Sequence, residues 1–159
     1  MSLPPFQTLL DEHAADLHRY LVATVGPDDG DDGFQETVIA ALRAYPDLRS
    51  AENLRGWLFT IAHRKAIDLA RARQRRADPV AEPPEVVHRD RLPDGTDESL
   101  WSAVATLPTK QRSAVVQRYL LDRPYAEIAE VIGSSEDAAR QNVRAGLQTL
   151  RRIVVEVTP

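Results

Sequence analysis

The stretch YAEIAEVIGSSEDAARQNVRAGLQTLRR, residues 125 to 152, decides the fold of the C-terminal part of this chain. Its first eight residues carry apolar side chains at the three- and four-residue steps of a short amphipathic helix, namely Ile128, Ala129 and Ile132. Gly133 favours the left-handed conformation that ends a helix, and Ser134 or Ser135 can cap the next one. Helix, glycine turn and capped helix together predict a helix-turn-helix.

The second helix of this pair is predicted to have one buried and one exposed face. The residues expected to point inward step by four, four and three: Ala139, Val143, Leu147 and Leu150. The residues left outward are Glu136, Asp137, Arg140, Gln141, Arg144 and Gln148. Arg140, Gln141 and Arg144 are the types that reach base edges or phosphates in a major groove. An antiparallel helix pair with a solvated charged face would show the same pattern.

The composition of the chain excludes several classes of protein. The chain has 159 residues and a formal net charge of −4, and the absence of cysteine excludes a disulfide framework and any thiolate metal site. No apolar run is long enough to span a membrane, and the start MSLPPFQTLLDEH lacks the pattern of a secretory signal. We expect a cytoplasmic protein without membrane insertion. Charge is distributed in blocks, acidic over residues 1–48, basic over 49–76 and acidic again over 77–99, which suggests separate surfaces for separate partners.

Helical periodicity covers both sides of the acidic segment at 77–99. Three apolar stripes precede it: Phe6 to Leu21, Phe34 to Tyr45 with Leu42 among its members, and Leu54 to Ala62, which runs on into a basic tail. No segment alternates with period two, so no strand is expected. The sequence predicts an all-α protein with two small helical domains. A helical bundle would occupy residues 1–76, a proline-containing acidic linker 77–99, and a helix-turn-helix domain 100–159.

Three segments carry a resemblance to a known family. They are DDGFQETVIAALRAY (31–45), LRGWLFTIAHRKAIDLARARQRR (54–76) and LPTKQRSAVVQRYLLDRPYAEIAEVIGSS (107–135). In this order, from about Phe6 to Arg152, the chain resembles an extracytoplasmic-function sigma factor of the sigma-70 family, a promoter-recognition subunit of bacterial RNA polymerase. The resemblance implies that the first domain is sigma region 2, which binds the polymerase clamp and melts the minus-10 element. The second would be sigma region 4, which reads the minus-35 element and contacts the polymerase flap.

The resemblance also implies three sets of functional residues. The clamp contact would consist of Asp31, Asp32, Gln35 and Glu36, although acids in such a run also suit a solvated helix start. Minus-10 recognition would use the loop residues Arg49, Ser50, Glu52 and Asn53 and the basic helix residues Arg64, Lys65, Arg71 and Arg75. Trp57 and Phe59 could stack on bases, while the stripe spacing of Trp57 favours the core. Minus-35 recognition would use Ser135, Glu136, Arg140, Gln141 and Arg144.

The chain departs from the family pattern in several places. Arg64 stands where the family usually has Asn, and Leu42 stands where it usually has an aromatic residue expected to pack in the core. Ala145 and Leu147 replace two arginines, which predicts a weaker grip on phosphates by this domain alone. In the recognition helix, the run AARQN (138–142) replaces a common TVKSR, so the promoter preference of relatives does not transfer to this chain.

Other functions fit the sequence less well than that of a sigma factor. The chain has no glycine-rich phosphate loop, nucleophile elbow or HExxH motif. His63 is expected at the surface of the basic helix and not in a catalytic site. We therefore predict that the protein is not an enzyme and binds no cofactor or metal. The alternative is a stand-alone helix-turn-helix regulator that binds an operator directly, which the acidic charge disfavours. The partners that the resemblance implies are core RNA polymerase, promoter DNA and an anti-sigma factor.

Overall fold

The computed structural model describes residues 2–77 and 98–157, with side chains over 2–76 and 100–153. Throughout these ranges the regular structure is helical, which confirms the all-α prediction. We call the helices before residue 78 the N-terminal block and those after residue 97 the C-terminal block. The predicted linker at 77–99 lies almost entirely outside the described residues.

The first two helices form a tight hairpin. Helix α1 spans Phe6–Val25 and α2 spans Pro27–Ala44, and Gly26 between them has a φ of 92°, a conformation that favours glycine. A Cβ on Gly30 would lie 2.8 Å from the Cα of Val22, so glycine allows α2 to approach the backbone of α1. The last turn of α1 and the first turn of α2 therefore lie close together.

One residue of the predicted α2 stripe points the other way. Ala41 is fully buried in the N-terminal block, whereas Leu42 is 54% exposed. Successive helical residues differ in direction by about 100°, so two neighbours rarely share a narrow buried face. The prediction that Leu42 packs in the core was wrong. A short 3-10 turn, Tyr45–Asp47, follows α2, and Tyr45 packs edge-on against Phe6 of α1.

Helix α3 spans Leu54–Ala77 and combines a buried half with a basic half. Its buried residues are Leu58, Phe59, Ala62, His63 and Ala66. Beyond them the exposed side chains of Arg71, Arg73, Arg75 and Arg76 form a basic end. The apolar part anchors the helix, and its basic end extends into solvent.

The C-terminal block contains four helices: α4 Glu98–Ala105, α5 Thr109–Tyr119, α6 Tyr125–Ile132 and α7 Glu136–Val157. Gly133 ends α6 in the left-handed conformation with φ 67° and ψ 44°. Ser135 caps α7, because its hydroxyl oxygen accepts the backbone N–H of Ala138 at 3.1 Å. These features confirm the helix-turn-helix geometry predicted from the glycine and the serines.

The two blocks pack against each other around a shared core. Helix α1 contacts α4 and α5, and α3 contacts α6. Buried apolar side chains from both blocks belong to one cluster, among them Tyr20, Leu58, Phe59, Trp101 and Val115. None of the described helices is long and apolar enough to cross a membrane.

Candidate nucleic-acid and polymerase interfaces

The outer face of α7 has the orientation predicted for a DNA-reading helix. The residues predicted to point outward are all exposed: Glu136, Asp137, Arg140, Gln141, Arg144 and Gln148. Ala139, Val143 and Leu150 are buried beneath them, and Leu147, also predicted to point inward, is half-buried. Ser135 is exposed as well, but its hydroxyl is already used as the helix cap. The candidate minus-35 residues therefore lie together on one accessible surface.

Arg140 is the most constrained side chain on this surface. Its guanidinium donates to the Glu136 carboxylate at 2.7 Å, reaches Asp137 at 3.5 Å and lies 5.1 Å from the centre of the Tyr125 ring. Exposed ion pairs one turn apart are worth only about 0.3–0.5 kcal/mol, so DNA can displace these acids. The contacts orient Arg140 without removing it from the candidate interface.

The candidate minus-10 loop is partly occupied by the other block. Arg49, Ser50, Glu52 and Asn53 are all exposed, and Asn53 in addition donates its side-chain amide to the carboxylate of Glu130 at 2.6 Å. The carbonyl oxygen of the Asn53 side chain accepts the backbone N–H of Gly56 at 3.0 Å, near the start of α3. Both ends of the Asn53 amide are thus engaged within the protein.

A second carboxylate of α6 engages the adjacent turn of α3. Glu127 of α6 forms an ion pair with Arg55, and both side chains are partly exposed. Together with Glu130 it gives α6 two acidic groups that face the start of α3. The two carboxylates occupy polar groups of the N-terminal block at the edge of its candidate DNA surface. Sequence patterns did not point to this contact, because nothing in them relates residues separated by more than 70 positions.

The basic face of α3 is more accessible than the loop before it. Arg64, Arg71 and Arg75 are exposed, and Lys65 is half-buried. None of these four cations makes an ion pair within the described parts of the chain. Trp57 is half-buried, and the centre of its ring lies 6.0 Å from the centre of the Tyr45 ring. Phe59 is fully buried, and the guanidinium carbon of Arg123 lies 3.9 Å from the centre of its ring. The suggestion that Phe59 stacks on bases is wrong for this arrangement.

His63 lies inside the contact between the blocks, so the prediction of a surface position was wrong. It is 3% exposed, and its Nδ1 lies 3.2 Å from the Tyr20 hydroxyl, which in turn lies 2.7 Å from the Ser113 hydroxyl of α5. Burial lowers the pKa of His63 to about 4, with smaller contributions in the same direction from Lys110 and Arg64. His63 is therefore neutral at neutral pH in this arrangement.

Arg123 is the largest buried cation at the same contact. Its side chain is 1% exposed and covers the Phe59 ring, and its backbone N–H donates to the Gln117 carbonyl at 3.0 Å. Burial lowers the pKa of Arg123 to about 10, with Arg55 adding repulsion and Glu127 opposing the shift. A cation over an aromatic face is favourable by about 2 kcal/mol when water is excluded, which offsets part of this desolvation.

The acidic face of α2 differs in character from the basic face of α3. Asp32, Gln35 and Glu36 are exposed, while Asp31 is half-buried and contacts His18 at 2.7 Å. Asp28 and Asp29 lie in the first turn of α2, where acids favour the helix dipole. Farther along the helix Ile39 and Leu42 are at least half-exposed, so an apolar patch follows the acids. The helical periodicity did not predict this patch, because it assigned Leu42 to the core.

These features define a class of protein: an all-α DNA-binding chain with a helix-turn-helix in its C-terminal block and separate charged surfaces in its N-terminal block. Two family models match it. Residues 9–76 match the model described as Sigma-70 region 2, and residues 97–150 match Sigma-70, region 4.

Named relatives agree with the family models. The chain is 26% identical to the RNA polymerase sigma factor SigV of Bacillus subtilis over 91% of this chain and 87% of that one. It is 28% identical to the extracytoplasmic-function sigma factor SigL of Mycobacterium tuberculosis, over 95% and 89% of the two chains. It is 30% identical to a probable sigma-C factor of Mycobacterium bovis, over 80% and 71%.

Two solved structures share the fold over both blocks. The sigma factor RpoE of Bartonella quintana, in complex with the anti-sigma factor NepR, has a TM-score of 0.78 at 21% identity, covering 97% of this chain and 98% of that one. CnrH, in complex with the cytosolic domain of CnrY, has a TM-score of 0.71 at 23% identity, covering 96% and 89%.

The chain belongs to the sigma-70 family of RNA polymerase sigma factors, in its extracytoplasmic-function group. It is an alternative sigma factor that directs transcription, as predicted from the resemblance. Sigma factors bind core RNA polymerase and promoter DNA, and its relatives are not enzymes.

Proposed function

We propose that three surfaces divide promoter recognition in this sigma factor. The acidic face of α2 binds the polymerase clamp, the loop 49–53 and the basic face of α3 hold the minus-10 element, and the outer face of α7 reads the minus-35 element. The observation that carries this assignment is that the three exposed surfaces differ in charge and lie on separate helices. The boundaries we propose for the domains are 1–76 and 100–159, with the linker between them.

Charge complementarity supports the assignment of the α2 face to a protein partner. Asp32 and Glu36 are exposed acids, and the neighbouring Ile39 and Leu42 add an apolar area of the kind found in protein interfaces. An acidic and apolar surface would repel DNA but would suit a basic surface of the polymerase. The half-buried Asp31, held by His18, helps to fix the start of this face.

The accessibility of α7 bears on the alternative function of an operator-binding regulator. The reading face is exposed while the two blocks are packed together, so duplex DNA can reach it without opening the protein. The formal net charge of −4 limits such binding, because direct affinity for DNA depends on phosphate neutralisation. We therefore propose a polymerase-dependent role and treat the regulator as the outcome to be excluded.

An anti-sigma factor and a cytoplasmic location complete the proposal. Two structures with this fold are complexes with a protein partner, and in one of them a sigma factor is bound to a protein named as an anti-sigma factor. We propose that this chain has a comparable partner and acts in the cytoplasm, where its polymerase is located.

Charge reversal at the α2 face tests the proposed clamp contact. The variant Asp32→Lys/Glu36→Lys should co-migrate with core polymerase much less than the unmodified chain does, because two attractive charges become repulsive. The control Glu12→Lys/Asp47→Lys changes the net charge equally at other exposed acids of the N-terminal block. Equal loss in both variants, or no loss in either, would remove the α2 assignment.

Alanine substitutions in α7 test the proposed reading of the minus-35 element. Arg140→Ala and Arg144→Ala should each weaken binding of the reconstituted holoenzyme to its mapped promoter by about 1–3 kcal/mol if each removes a good base contact. Arg43→Ala, an exposed arginine of α2, serves as the control. Unchanged promoter preference in both α7 variants would mean that another face reads DNA, and tight sequence-specific binding without polymerase would favour the regulator.

A further inference from the structure

Arg123 is the largest fully buried side chain of the described residues, and its guanidinium has few partners among them. Its Nε and Nη1 atoms donate no hydrogen bond within that part of the chain. Its ion pair with Oε2 of Glu127 spans 3.9 Å, which is too long for a hydrogen bond. The same oxygen of Glu127 accepts a hydrogen bond from Arg55, so one oxygen atom serves two guanidinium groups. Arg123 is thus a buried cation that is weakly paired.

The other groups around Arg123 offset its burial only in part. The Phe59 ring of α3 lies 3.9 Å from the guanidinium carbon, whereas Arg55 of the same helix repels the charge. Glu127 and Asp16 attract it, but burial is the largest influence and lowers the pKa of Arg123 to about 10. The charged form is therefore less favourable in this position than in water.

The turn before α6 directs Arg123 into the contact between the blocks. Asp122 has a φ of 52°, a left-handed conformation that costs free energy in any residue but glycine. The backbone N–H of Arg123 donates to the Gln117 carbonyl at 3.0 Å, and Nη1 of Arg118 donates to the Arg123 carbonyl at 3.0 Å. The turn therefore fixes the backbone of Arg123 although its side chain is poorly paired.

Separation of the two blocks would return this guanidinium to water. In the closed arrangement, in which the blocks are packed together, α6 also engages Asn53 and Arg55 beside the candidate minus-10 surface. If single-stranded DNA needs that surface free, its apparent affinity scales with the fraction of chains in which the blocks are apart. A group that destabilises the closed arrangement raises this fraction.

We propose that Arg123 is a built-in destabilising element of the block contact, which keeps a fraction of the chains open to single-stranded promoter DNA. Replacing a buried, poorly paired charge with an apolar side chain of similar volume commonly leaves a protein equally stable or more stable. Arg123 therefore weakens a contact that the shared apolar core holds together. The inference rests on the proposed minus-10 role of the loop 49–53 and of α3, and it adds a conformational control of access to them.

The test measures opening and DNA binding in the same proteins. Ser113→Cys places a unique thiol where the side chain is 1% exposed and contacts Tyr20 of the other block, so its rate of reaction with a maleimide reports opening. In this background Arg123→Met, a flexible apolar replacement of similar volume, should slow labelling by about tenfold. The affinity for single-stranded DNA from the mapped promoter should fall by the same factor. The control Arg19→Met removes a charge from an exposed position of α1 and should leave both nearly unchanged.

Unchanged or faster labelling of Arg123→Met, or failure of that variant to fold, would overturn the proposal, because the guanidinium would then stabilise the contact. A fall in DNA affinity without slower labelling would also overturn it, since Arg123 would then contact DNA itself. Slower labelling at unchanged DNA affinity would do the same, because closure would not limit access.

Arg71→Ala/Arg75→Ala separates these failures from that of the proposed function. Both arginines are exposed on the basic face of α3, away from the buried part of the block contact. If this variant loses affinity for the single-stranded DNA while Arg123→Met behaves like its control, α3 binds DNA and Arg123 does not control access to it.

Discussion

The two candidate DNA surfaces of this sigma factor differ in how far the other block of the chain contacts them. At the start of α3, Asn53 and Arg55 are engaged by Glu130 and Glu127 of α6. On α7, Gln141, Arg144 and Arg151 face solvent. The carboxylates of one DNA-binding block thus occupy polar groups of the other, while the reading helix of that block stays open. Under the proposed assignments, packing between the blocks engages part of the minus-10 surface and leaves the minus-35 surface accessible.

The shared core is the part of this contact whose loss should have the largest effect. Phe59→Ala removes a fully buried ring that contacts Tyr20 of α1 and Arg123 of the C-terminal block, so the free energy of unfolding should fall by about 3–5 kcal/mol. Ile39→Ala, at a half-exposed position of α2, should cost under about 0.5 kcal/mol.

Urea unfolding followed by tryptophan fluorescence checks this prediction in each block separately. The chain has two tryptophans, Trp57 in α3 and Trp101 in α4, so replacing either with phenylalanine leaves a probe in one block. Because the two blocks share a core, Phe59→Ala should shift the urea transitions reported by Trp57 and by Trp101 together. A shift seen only by Trp57 would mean that the blocks unfold independently.

Mild acid should weaken the same contact through His63. Its pKa is about 4 in the closed arrangement and about 6.5 when exposed, so opening takes up a proton. The contribution of neutral, buried His63 to the free energy of unfolding is complete above about pH 6.5 and is lost as the pH falls toward 4. Between pH 7 and pH 5 the free energy of unfolding should fall by about 2 kcal/mol. The pKa of His13 is also lowered by burial, so His63→Asn is needed to isolate the effect.

The measurement is the unfolding free energy at several pH values between 7 and 5. The unmodified chain should lose stability across this interval, and His63→Asn should lose distinctly less. An identical pH dependence in both proteins would assign the loss to other groups and would contradict a buried, neutral His63.

The carboxylates of α6 should have the smallest effect on stability but a selective effect on binding. Glu127→Gln/Glu130→Gln removes the ion pair of Glu127 with Arg55 and the charged acceptor of the Asn53 hydrogen bond, partly exposed contacts worth under about 1 kcal/mol each. Single-stranded DNA would then compete with amides, and no longer with carboxylates, for Asn53 and Arg55. The affinity of the chain for single-stranded DNA should therefore rise by up to about fivefold. Asp11→Asn/Glu12→Gln is the control, since it removes two charges from exposed acids of α1 that lie outside the proposed DNA surfaces. An equal rise in both proteins would indicate a general charge effect.

Local sequence signals predicted the helices, the glycine turn and the outward face of α7 because each depends on residues within a few positions of one another. Gly133 and Ser135 are examples, since the conformation of one and the cap made by the other are decided locally. The positions of Leu42 and His63 were mispredicted because they depend on which elements pack against α2 and α3. His63 is buried by Tyr20 and Ser113, residues 43 and 50 positions away, and periodicity contains no information about such contacts.

Cross-linking the two blocks tests most directly whether their contact controls minus-10 recognition. The sequence has no cysteine, so Arg55→Cys/Glu127→Cys introduces a unique pair that a short bis-maleimide can join in place of the Arg55–Glu127 ion pair, and neither residue belongs to the proposed DNA-contacting sets. Chains with either cysteine alone, capped by the same reagent, are the controls. With core polymerase, the cross-linked chain should fail to direct transcription from a promoter that both controls use, yet should retain binding of duplex DNA through α7. Transcription by the cross-linked chain at the level of the controls would contradict the masking of the minus-10 surface by α6.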